Sequence, residues 1–418
     1  MVGMLKHGNH RQHRVFIMKN INPFFIPSSK SLIVFGKNKL NGTDGIMPLL
    51  LELAIKKDLK IIYCVAEYGL TYKAIQDNVL FRDIIYKYGS LNLLGGFSKY
   101  RTIRYITWLF QLFFIFVQGI AGGRIIHYGA MNNFPFNLLR ISYGKKVFLS
   151  ENNTNETFYR QTMQEIDRIC NKSKVQKNQK NYLFDESCID DRIIFRKSTM
   201  KKFNKDNGYR FYFYGRSRSR SIWLNYLSEN KHKYFEKYHP NIRDKKYIVI
   251  IGTWYDGCLY NNVPKVFEKM LDVFKENFNE EYFLFKPHPL TNISYVKKEI
   301  EKRKLKCEIT YLHPNLLAMQ AKAFVGNNFS NMMTDGFLQN IPTIEFSNYI
   351  DELKKMTCGS SASSKYVNHF IDNDSTQFKS IMGDVIISAL NDSHVNLEKI
   401  KIDEPSSVGV LNLIASDT

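Results

Sequence analysis

The sequence predicts an α/β protein with two domains, each a parallel sheet covered by helices. Short apolar runs alternate with stretches long enough for helices over residues 31–160, and the alternation resumes over 245–390. The chain has 418 residues, of which 44% are hydrophobic and 14% aromatic, so it can bury sizeable cores. This composition excludes a disordered chain, a collagen-like repeat and a small disulfide scaffold.

The first domain, residues 31–160, opens with the apolar run SLIVF, which is typical of a strand. The turn-rich loop GKNKLNGTDG follows, then IMPLLLELAIKK as a helix and LKIIYCVAE as a second strand. A crossover helix of this kind makes the two strands parallel. GRIIHYGA and KKVFLSE are predicted to be further strands. Residues 1–30 form a basic extension that lacks the apolar core and cleavage site of a secretory signal.

A long apolar helix is predicted over residues 105–123, flanked by Arg101, Arg104 and Arg124. Its length allows three interpretations: a transmembrane helix, a buried core helix, or a helix pressed into one leaflet. Arginines and aromatic rings at the ends favour the third, because cations meet lipid phosphates while rings lie at the boundary. Arg101, Arg104, Trp108 and Arg124 are therefore the predicted membrane contacts.

The charge of the chain is strongly basic and unevenly distributed. The sequence has 59 Lys plus Arg against 39 Asp plus Glu, a net charge of +20. Residues 201–250 alone have 13 basic and 4 acidic residues, a net charge of +9. Such an excess indicates a polyanionic partner: nucleic acid, an anionic membrane or a phosphorylated small molecule. Residues 161–244 are predicted to be a basic linker or inserted subdomain, and 391–418 a tail.

The second domain, residues 245–390, begins with KKYIVIIGTW, a strand that runs into a loop. VPKVFEKMLDVFKENF is an amphipathic helix, and EYFLFKPHP is the next strand. Gly252, Thr253 and Trp254 are candidate ligand contacts, because a small residue lets the backbone approach a phosphate and Trp254 could stack on a base or pack in the core. In open α/β sheets ligands bind beyond the carboxyl ends of the strands, so two such sheets predict a central cleft.

Lys286-Pro287-His288-Pro289 follows directly after the strand YFLF. The two prolines fix the backbone and hold the imidazole at the carboxyl edge of the sheet. A histidine there can donate to a phosphate or a leaving oxygen, and Lys286 can add positive charge. An exposed turn without a ligand remains the alternative.

A helix start follows the later strand 323–325 and the sequence Gly326-Asn327-Asn328. Ser330 is positioned to cap that helix, and Asp335 lies about one turn inside it. Backbone N–H groups at a helix start form an anion site, to which Asn328, Ser330 and Asn331 could contribute. Asp335 could hold the helix start or the loop of His288. A plain cap is the alternative.

The order strand, K-P-H-P, strand and S-[SN]-x-x-x-D resembles the C-terminal domain of bacterial GT-B glycosyltransferases that build surface polysaccharides. The resemblance covers roughly residues 245–350 and extends to capsule polysialyltransferases and CDP-glycerol glycerophosphotransferases. It implies a GT-B-like fold with two Rossmann-like domains. It also implies that His288, Ser330 and Asn331 bind the phosphates of a donor nucleotide, although Asn331 stands where the pattern often has a second Ser.

Polysialyltransferases also have an acidic motif after a strand late in the N-terminal domain, whose carboxylate acts as base. By that resemblance Glu151 is the candidate base, but Asn152 and Asn153 replace the expected acid and glycine. Asp44 is the second candidate. The acceptor-side residues Gly42, Asp44 and Gly45 belong to the loop after the first strand.

Dinucleotide and P-loop motifs are missing from the sequence, and its six cysteines include no C-x-x-C pair. We therefore expect no cofactor, metal-independent chemistry and no nucleic-acid partner. The expected function is transfer of a sugar from a nucleotide-activated donor, CMP- or UDP-linked, to a hydroxyl of a capsule, O-antigen or lipooligosaccharide. The acceptor would be lipid-linked, at the inner face of the cytoplasmic membrane. The alternatives are a CDP-dependent polyol-phosphate transferase, a nucleotide-sugar epimerase and a basic nucleic-acid-binding protein.

Overall fold

The chain divides into two units, one sequence-discontinuous and one largely continuous. The computed structural model describes residues 26–36, 40–128, 138–144, 146–151, 191–194, 210–252, 259–288, 291–328, 330–362, 366–390, 404 and 406–415. The first unit contains the described residues of 1–153, 180–217 and 404–418, and the second contains those of 154–179 and 218–403.

The first unit is built on a parallel sheet that has seven strands within the described residues. Its strands are β1 (Ser31–Phe35), β2 (Lys60–Val65), β3 (Gly89–Leu93), β4 (Arg124–Tyr128), β5 (Val147–Glu151), β6 (Asp191–Ile194) and β7 (Arg210–Phe213). Their order across the sheet is β3-β2-β1-β4-β5-β6-β7. The chain reverses direction across the sheet between β1 and β4, so the switch point of the first sheet lies there.

Helices cover this sheet, and they are α1 (Leu40–Lys57), α2 (Val79–Tyr88), α3 (Arg101–Ile120) and α4 (Leu139–Tyr143). A π-helical segment, Tyr68–Lys73, follows β2 and continues as the helical turn Ala74–Asp77. Glu67 begins that segment and its carboxylate accepts the N–H groups of Gly69 and Thr71. All five residues of β1 are buried, as expected for a central strand with both faces covered.

The second unit contains a six-stranded parallel sheet in its described residues, ordered β10-β9-β8-β11-β12-β13. The strands are β8 (Tyr247–Gly252), β9 (Phe283–Pro287), β10 (Cys307–Ile309), β11 (Ala321–Gly326), β12 (Thr343–Ser347) and β13 (His369–Asp372). The helices are α5 (Ser221–Tyr238), α6 (Val263–Asn277), α7 (Ile293–Arg303), α8 (Pro314–Ala318), α9 (Asn331–Leu338), α10 (Asp351–Thr357) and α11 (Ser375–Leu390). The expectation of two α/β domains with parallel sheets is confirmed.

Residues 161–244, predicted as a linker or inserted subdomain, are shared between the units. Strands β6 and β7 belong to the first sheet, and α5 belongs to the second unit. The predicted tail also contributes structure, because its helix α12 (Val408–Ala415) packs on α1 and β7. Neither contribution is visible in the local sequence, since both depend on partners far away in the chain.

The loop predicted to hold Gly42, Asp44 and Gly45 is helical, because α1 already begins at Leu40. Thr43 is fully buried, and its hydroxyl lies 2.8 Å from that of Tyr63 in β2. The carbonyl of Gly45 accepts a 2.6 Å hydrogen bond from the Ser217 hydroxyl. Both glycines are buried and Asp44 is half-buried. The prediction that this segment is a loop is therefore wrong, and the acceptor-side role of Gly42, Asp44 and Gly45 stays a prediction.

The apolar helix is α3, and most of it is not buried. It is long and apolar enough to cross a membrane, but only 22% of its apolar 18-residue stretch is buried inside the protein. The interpretation as a buried core helix is therefore wrong. Arg101 and Arg104 are exposed, and their contact with a membrane stays a prediction, whereas Trp108 is half-buried and packs against the core of the first unit.

Arg124 is buried, which contradicts its prediction as a membrane contact. Only 2% of the residue is exposed. Its guanidinium donates to the carbonyl of Ser29 and, at 2.8 Å, to that of Ala415 in α12. Burial of an arginine is tolerated when its donors are paired, and here backbone carbonyls accept from both terminal nitrogens of the guanidinium.

Candidate functional site

Three strand ends meet at the carboxyl edge of the second sheet. Ile251 in β8 pairs with Lys286 of β9 on one side and with Gly326 of β11 on the other. Gly252 pairs with Pro287, the last residue of β9. Because the chain moves outward from β8 to β10 and then returns to β11, the switch point of this sheet lies between β8 and β11. The K-P-H-P segment and the segment before α9 both end at this edge, where ligands of open α/β sheets bind.

The loop that contains His288 is hydrogen-bonded to the end of β8. The backbone N–H of His288 donates to the carbonyl of Gly252 at 3.2 Å and to the hydroxyl of Thr291 at 3.0 Å. The buried Thr291 hydroxyl donates to the same Gly252 carbonyl at 3.1 Å. These bonds fix the backbone beneath the imidazole. Sequence reasoning missed Thr291, although a threonine three residues after the histidine is a signal for a side-chain turn.

The imidazole of His288 is half-buried, and this burial lowers its pKa below the usual value of 6.5. Since desolvation disfavours the charged form, the ring is neutral around pH 7. A neutral imidazole can donate one hydrogen bond and accept another. His288 can therefore donate to an oxygen that gains negative charge and remain uncharged before the reaction.

Lys286 is half-buried in β9, and its Nζ lies 6.0 Å from the ring centroid of Tyr311. Tyr311 follows β10 and is 54% exposed. A cation near an aromatic ring is weakly stabilised by the charge distribution of the ring. Tyr311 thus adds an exposed ring at this edge that sequence reasoning did not select.

The helix start predicted at Ser330 is confirmed. Ser330 is the N-cap of α9, and its Oγ accepts a 3.3 Å hydrogen bond from the backbone N–H of Met332. The Ser330 hydroxyl keeps its own proton, which it can donate to a ligand. Asn331 is the first residue of α9, and its side chain lies outside the described residues.

Asn328 lies just before this cap and has an unsatisfied polar atom. The residue is only 3% exposed, and within the described ranges its Oδ1 accepts no hydrogen bond. A buried acceptor without a donor costs about 1–3 kcal/mol. A ligand hydroxyl that donates to this oxygen would remove that cost.

The described contacts of Asp335 are with Arg218 and α8, and its predicted role at the helix start or the loop of His288 stays a prediction. Its carboxylate lies 3.2 Å from Nη1 of Arg218 and accepts a 3.3 Å hydrogen bond from Asn315 of α8. Asn315 in turn accepts a 3.1 Å hydrogen bond from the indole of Trp223 in α5. The carboxylate is buried, so it needs Arg218 nearby to offset its lost hydration. Asp335 therefore ties α9 to α5 and α8.

Packing requires a glycine at position 252, and the predicted approach of a phosphate there stays a prediction. A Cβ atom at this position would lie 2.2 Å from the ring of Phe285. The neighbouring candidates Thr253 and Trp254 lie outside the described residues. Glycine is thus required here because β9 packs closely against the end of β8.

Glu151, the candidate base, is the last residue of β5 in the first unit. Its backbone lies at the carboxyl end of the strand, and its side chain is not among those described. His127 lies near the end of β4, with its ring 5.5 Å from that of Phe35 in β1. It therefore lies beside the switch point of the first sheet. Sequence reasoning missed it, although a histidine late in a strand at a sheet edge was the signal used for His288.

Comparisons with known proteins identify the fold of the whole chain. The wall teichoic acid polymerase TagF is similar over 97% of this chain and 92% of its own, with 10% sequence identity and a TM-score of 0.51. The chain has a GT-B fold. A UDP-N-acetylglucosamine 2-epimerase from Rickettsia bellii is similar over 92% of this chain and 93% of its own, with 13% identity and a TM-score of 0.46. A UDP-GlcNAc 2-epimerase from Methanocaldococcus jannaschii is similar over 92% of this chain and 98% of its own, with 13% identity and a TM-score of 0.44. No family model and no curated protein matches the sequence.

Metal ligands do not cluster in the part of the chain that the structure describes. No group of three His, Cys, Asp or Glu residues there is arranged to hold a metal ion. Metal-independent chemistry remains a prediction of the sequence.

Proposed function

We propose that the protein is a glycosyltransferase that moves a sugar from a nucleotide-activated donor to a hydroxyl of a bacterial surface polysaccharide. One observation carries the proposal: His288, Asn328 and the capped start of α9 lie at the carboxyl edge of one sheet, beside its switch point. The GT-B fold supports a donor site at this edge. The capsule, O-antigen or lipooligosaccharide that receives the sugar belongs to the proposal.

The helix start and the imidazole would bind the donor phosphates. The first N–H groups of α9 carry partial positive charge, and Ser330 and Asn331 can donate further hydrogen bonds to phosphate oxygens. Lys286 would add charge at the end of β9. The buried Oδ1 of Asn328 accepts rather than donates, so a ribose or sugar hydroxyl suits it better than a phosphate.

The proposed reaction is a single in-line displacement with inversion. Glu151 takes the proton of the acceptor hydroxyl, and the oxygen of that hydroxyl forms the new bond to the anomeric carbon of the donor sugar. The bond from that carbon to the phosphate oxygen breaks, and the nucleotide leaves with the electron pair. His288 and the start of α9 stabilise the negative charge on the leaving phosphate, and no metal ion takes part. Asp44 and His127 are the alternative bases.

The acceptor is proposed to be a growing glycan attached to a lipid. The enzyme would then work as a peripheral protein at the inner face of the cytoplasmic membrane. A second candidate is transfer of a polyol phosphate from a CDP-linked donor, because the wall teichoic acid polymerase TagF shares the fold over 97% of this chain.

The donor site is tested by thermal shifts with CMP, CDP, UDP and GDP. A nucleotide at 100 times its dissociation constant should stabilise the protein by about 2.7 kcal/mol. Ser330→Ala should abolish this shift, whereas the matched control Asn292→Ala should keep it, because Asn292 caps α7 by the same type of bond to Tyr295. No shift with any nucleotide at millimolar concentration, or equal shifts in both variants, would reject the site.

Transfer assays with the matching sugars test the role of His288. His288→Ala should lower kcat about 10²- to 10³-fold, as expected when a donor to a developing anion is lost. His369→Ala is the matched control, because His369 is also half-buried and burial also lowers its pKa. Wild-type turnover in His288→Ala would contradict the assignment. Transfer of a polyol phosphate in place of a sugar would favour the second candidate.

A further inference from the structure

Helix α3 presents a continuous apolar face to solvent. Phe110 and Phe113 are 60% and 61% exposed, and Ile106 is 48% exposed. We use the term "apolar face" for the exposed apolar side chains of α3 and of the loop before it. They are Phe97, Tyr100, Ile103, Tyr105, Ile106, Leu109, Phe110 and Phe113. Contiguous exposed apolar surface of this kind marks a site of interaction in soluble proteins.

The opposite side of α3 is fixed to the first unit. Ile115 is fully buried in its core, and the hydroxyl of Tyr143 donates to the Ile115 carbonyl at 2.6 Å. Gln111 accepts a 2.7 Å hydrogen bond from the N–H of Gly95, and Gln118 accepts a 3.0 Å bond from that of Ser28. These contacts hold the helix along the surface of the unit. An occupant can therefore reach only the outer side of α3, which excludes a spanning helix in this structure.

Further exposed apolar residues lie at both ends of α3. The rings of Tyr68 and Tyr72 lie 6.0 Å and 5.0 Å from that of Phe97. At the other end, Ile120 is 68% exposed and Ile141 of α4 is 76% exposed. The apolar face therefore extends beyond α3 at the end where the helix begins, and that end has aromatic rings.

The chain segment that contains the apolar face has charges of one sign. From Ile84 to Ser150 the sequence has no Asp or Glu, and its basic residues there are Lys87, Lys99, Arg101, Arg104, Arg124, Arg140, Lys145 and Lys146. Arg101 and Arg104 are exposed in the first turn of α3, beside the aromatic end. Exposed cations bordering an apolar surface complement lipid phosphates above acyl chains.

We propose that the apolar face inserts into one leaflet of an anionic membrane, with α3 lying in the plane of the interface. A second copy of the chain suits this surface less well, because the segment offers no carboxylate to pair with Arg101 and Arg104. The inference rests on the proposed function only for the choice of a bacterial membrane. This proposal differs from the membrane contacts predicted from the sequence, because it places Phe110 and Phe113 in the membrane and leaves Arg124 out.

Vesicle flotation tests the insertion, with the full chain and two lipid mixtures: phosphatidylcholine alone, and phosphatidylcholine with phosphatidylglycerol. F110D/F113D should weaken partitioning at least about 100-fold, since each buried aromatic side chain contributes about 1.5–3 kcal/mol. The matched control is I55D/I387D, because Ile55 and Ile387 are also exposed, at 46% and 59%, but lie on α1 and α11. The control should float like the wild type.

The arginines are tested in the same assay. R101Q/R104Q should lose about fivefold in partitioning for each cation, on anionic vesicles only. Equal flotation of the wild type and F110D/F113D would overturn the proposal. So would a wild-type dimer without lipid that F110D/F113D converts to monomer, because the face would then be occupied by a second copy.

Insertion depth separates docking from surface adsorption. The variant F113W in vesicles with brominated acyl chains should show quenched tryptophan fluorescence, and lack of quenching would contradict insertion.

Nucleotide thermal shifts on F110D/F113D distinguish the membrane proposal from the proposed function. Lost flotation with a retained nucleotide shift is the expected result. Flotation without any nucleotide shift in the wild type would reject only the proposed function.

Discussion

Helices α6 and α3 both cover a parallel sheet, yet they place their apolar residues differently. In α6 the buried residues include Val266, Phe267, Met270 and Phe274, and the exposed positions are charged. In α3 one apolar side packs inward and another faces solvent. The comparison shows that apolar sequence alone does not locate the core. The charged residues of α6 mark its outer side, whereas α3 has only two charged residues, both in its first turn.

The largest expected effect is on the buried side of α6. Phe274 is fully buried and its ring lies 4.7 Å from that of Phe283 in β9. Phe274→Ala should lower the free energy of unfolding by about 3–5 kcal/mol, because it leaves a cavity in the core of the second unit. Urea denaturation measures the change, and hydrogen exchange should show lost protection in β8 and β9. Unchanged stability would mean that α6 does not close this core.

The inner side of α3 should behave in the same way. Ile115 is fully buried with Ile33 and Ile125 of the first sheet. Ile115→Ala should cost about 2–5 kcal/mol in urea denaturation, for the same reason. A loss below about 0.5 kcal/mol would show that both sides of α3 are equivalent, and the contrast with α6 would then be lost.

A smaller effect is expected from the polar contacts that orient α3. Gln118 is fully buried; its amide donates to the carbonyl of Ile26 at 2.9 Å and accepts from the N–H of Ser28 at 3.0 Å. Gln118→Leu leaves these backbone groups without a partner and should cost about 1–3 kcal/mol. Gln118→Glu can still accept from Ser28, but it buries a carboxylate that faces the Ile26 carbonyl, so we expect a loss at least as large. Equal stability in urea of the wild type, Gln118→Leu and Gln118→Glu would contradict a stabilising role of these hydrogen bonds.

The smallest effect is expected on the outer side of α3. Phe113 is 61% exposed, so Phe113→Ser should change the unfolding free energy by less than about 0.5 kcal/mol. Its solubility should rise, because exposed apolar surface decreases. A loss of several kcal/mol in urea without lipid would show that this side is buried within the protein.

The strands and the second-sheet edge could be predicted from the sequence because their signals are local. SLIVF, KKYIVIIGTW and EYFLFKPHP give β1, β8 and β9, and Ser330 caps α9 as its sequence indicates. The identity of the fold needed the K-P-H-P resemblance and the structure together. What each predicted site residue binds stays a prediction.

The failures share one physical cause, which is a partner distant in sequence. The guanidinium of Arg124 donates to a carbonyl of α12, and this partner is not marked in the local pattern. Gly42 and Gly45 suggested a loop, but Ser217 and Tyr63 bind neighbouring groups and stabilise a helix there. Local signals describe local structure, whereas these side chains respond to tertiary contacts.

The packing of α12 on α1 and β7 bears on how the protein is synthesised. The Ser407 hydroxyl donates at 2.6 Å to the buried carboxylate of Glu52, which Tyr214 also contacts, at 2.7 Å. During translation residues 1–217 leave the ribosome long before residue 407, so Glu52 lacks this donor while most of the second unit is being made. Domains often fold in order of their emergence. Here we expect the first unit to finish folding only after residues 406–415 have been made, because α12 and Ser407 complete its packing.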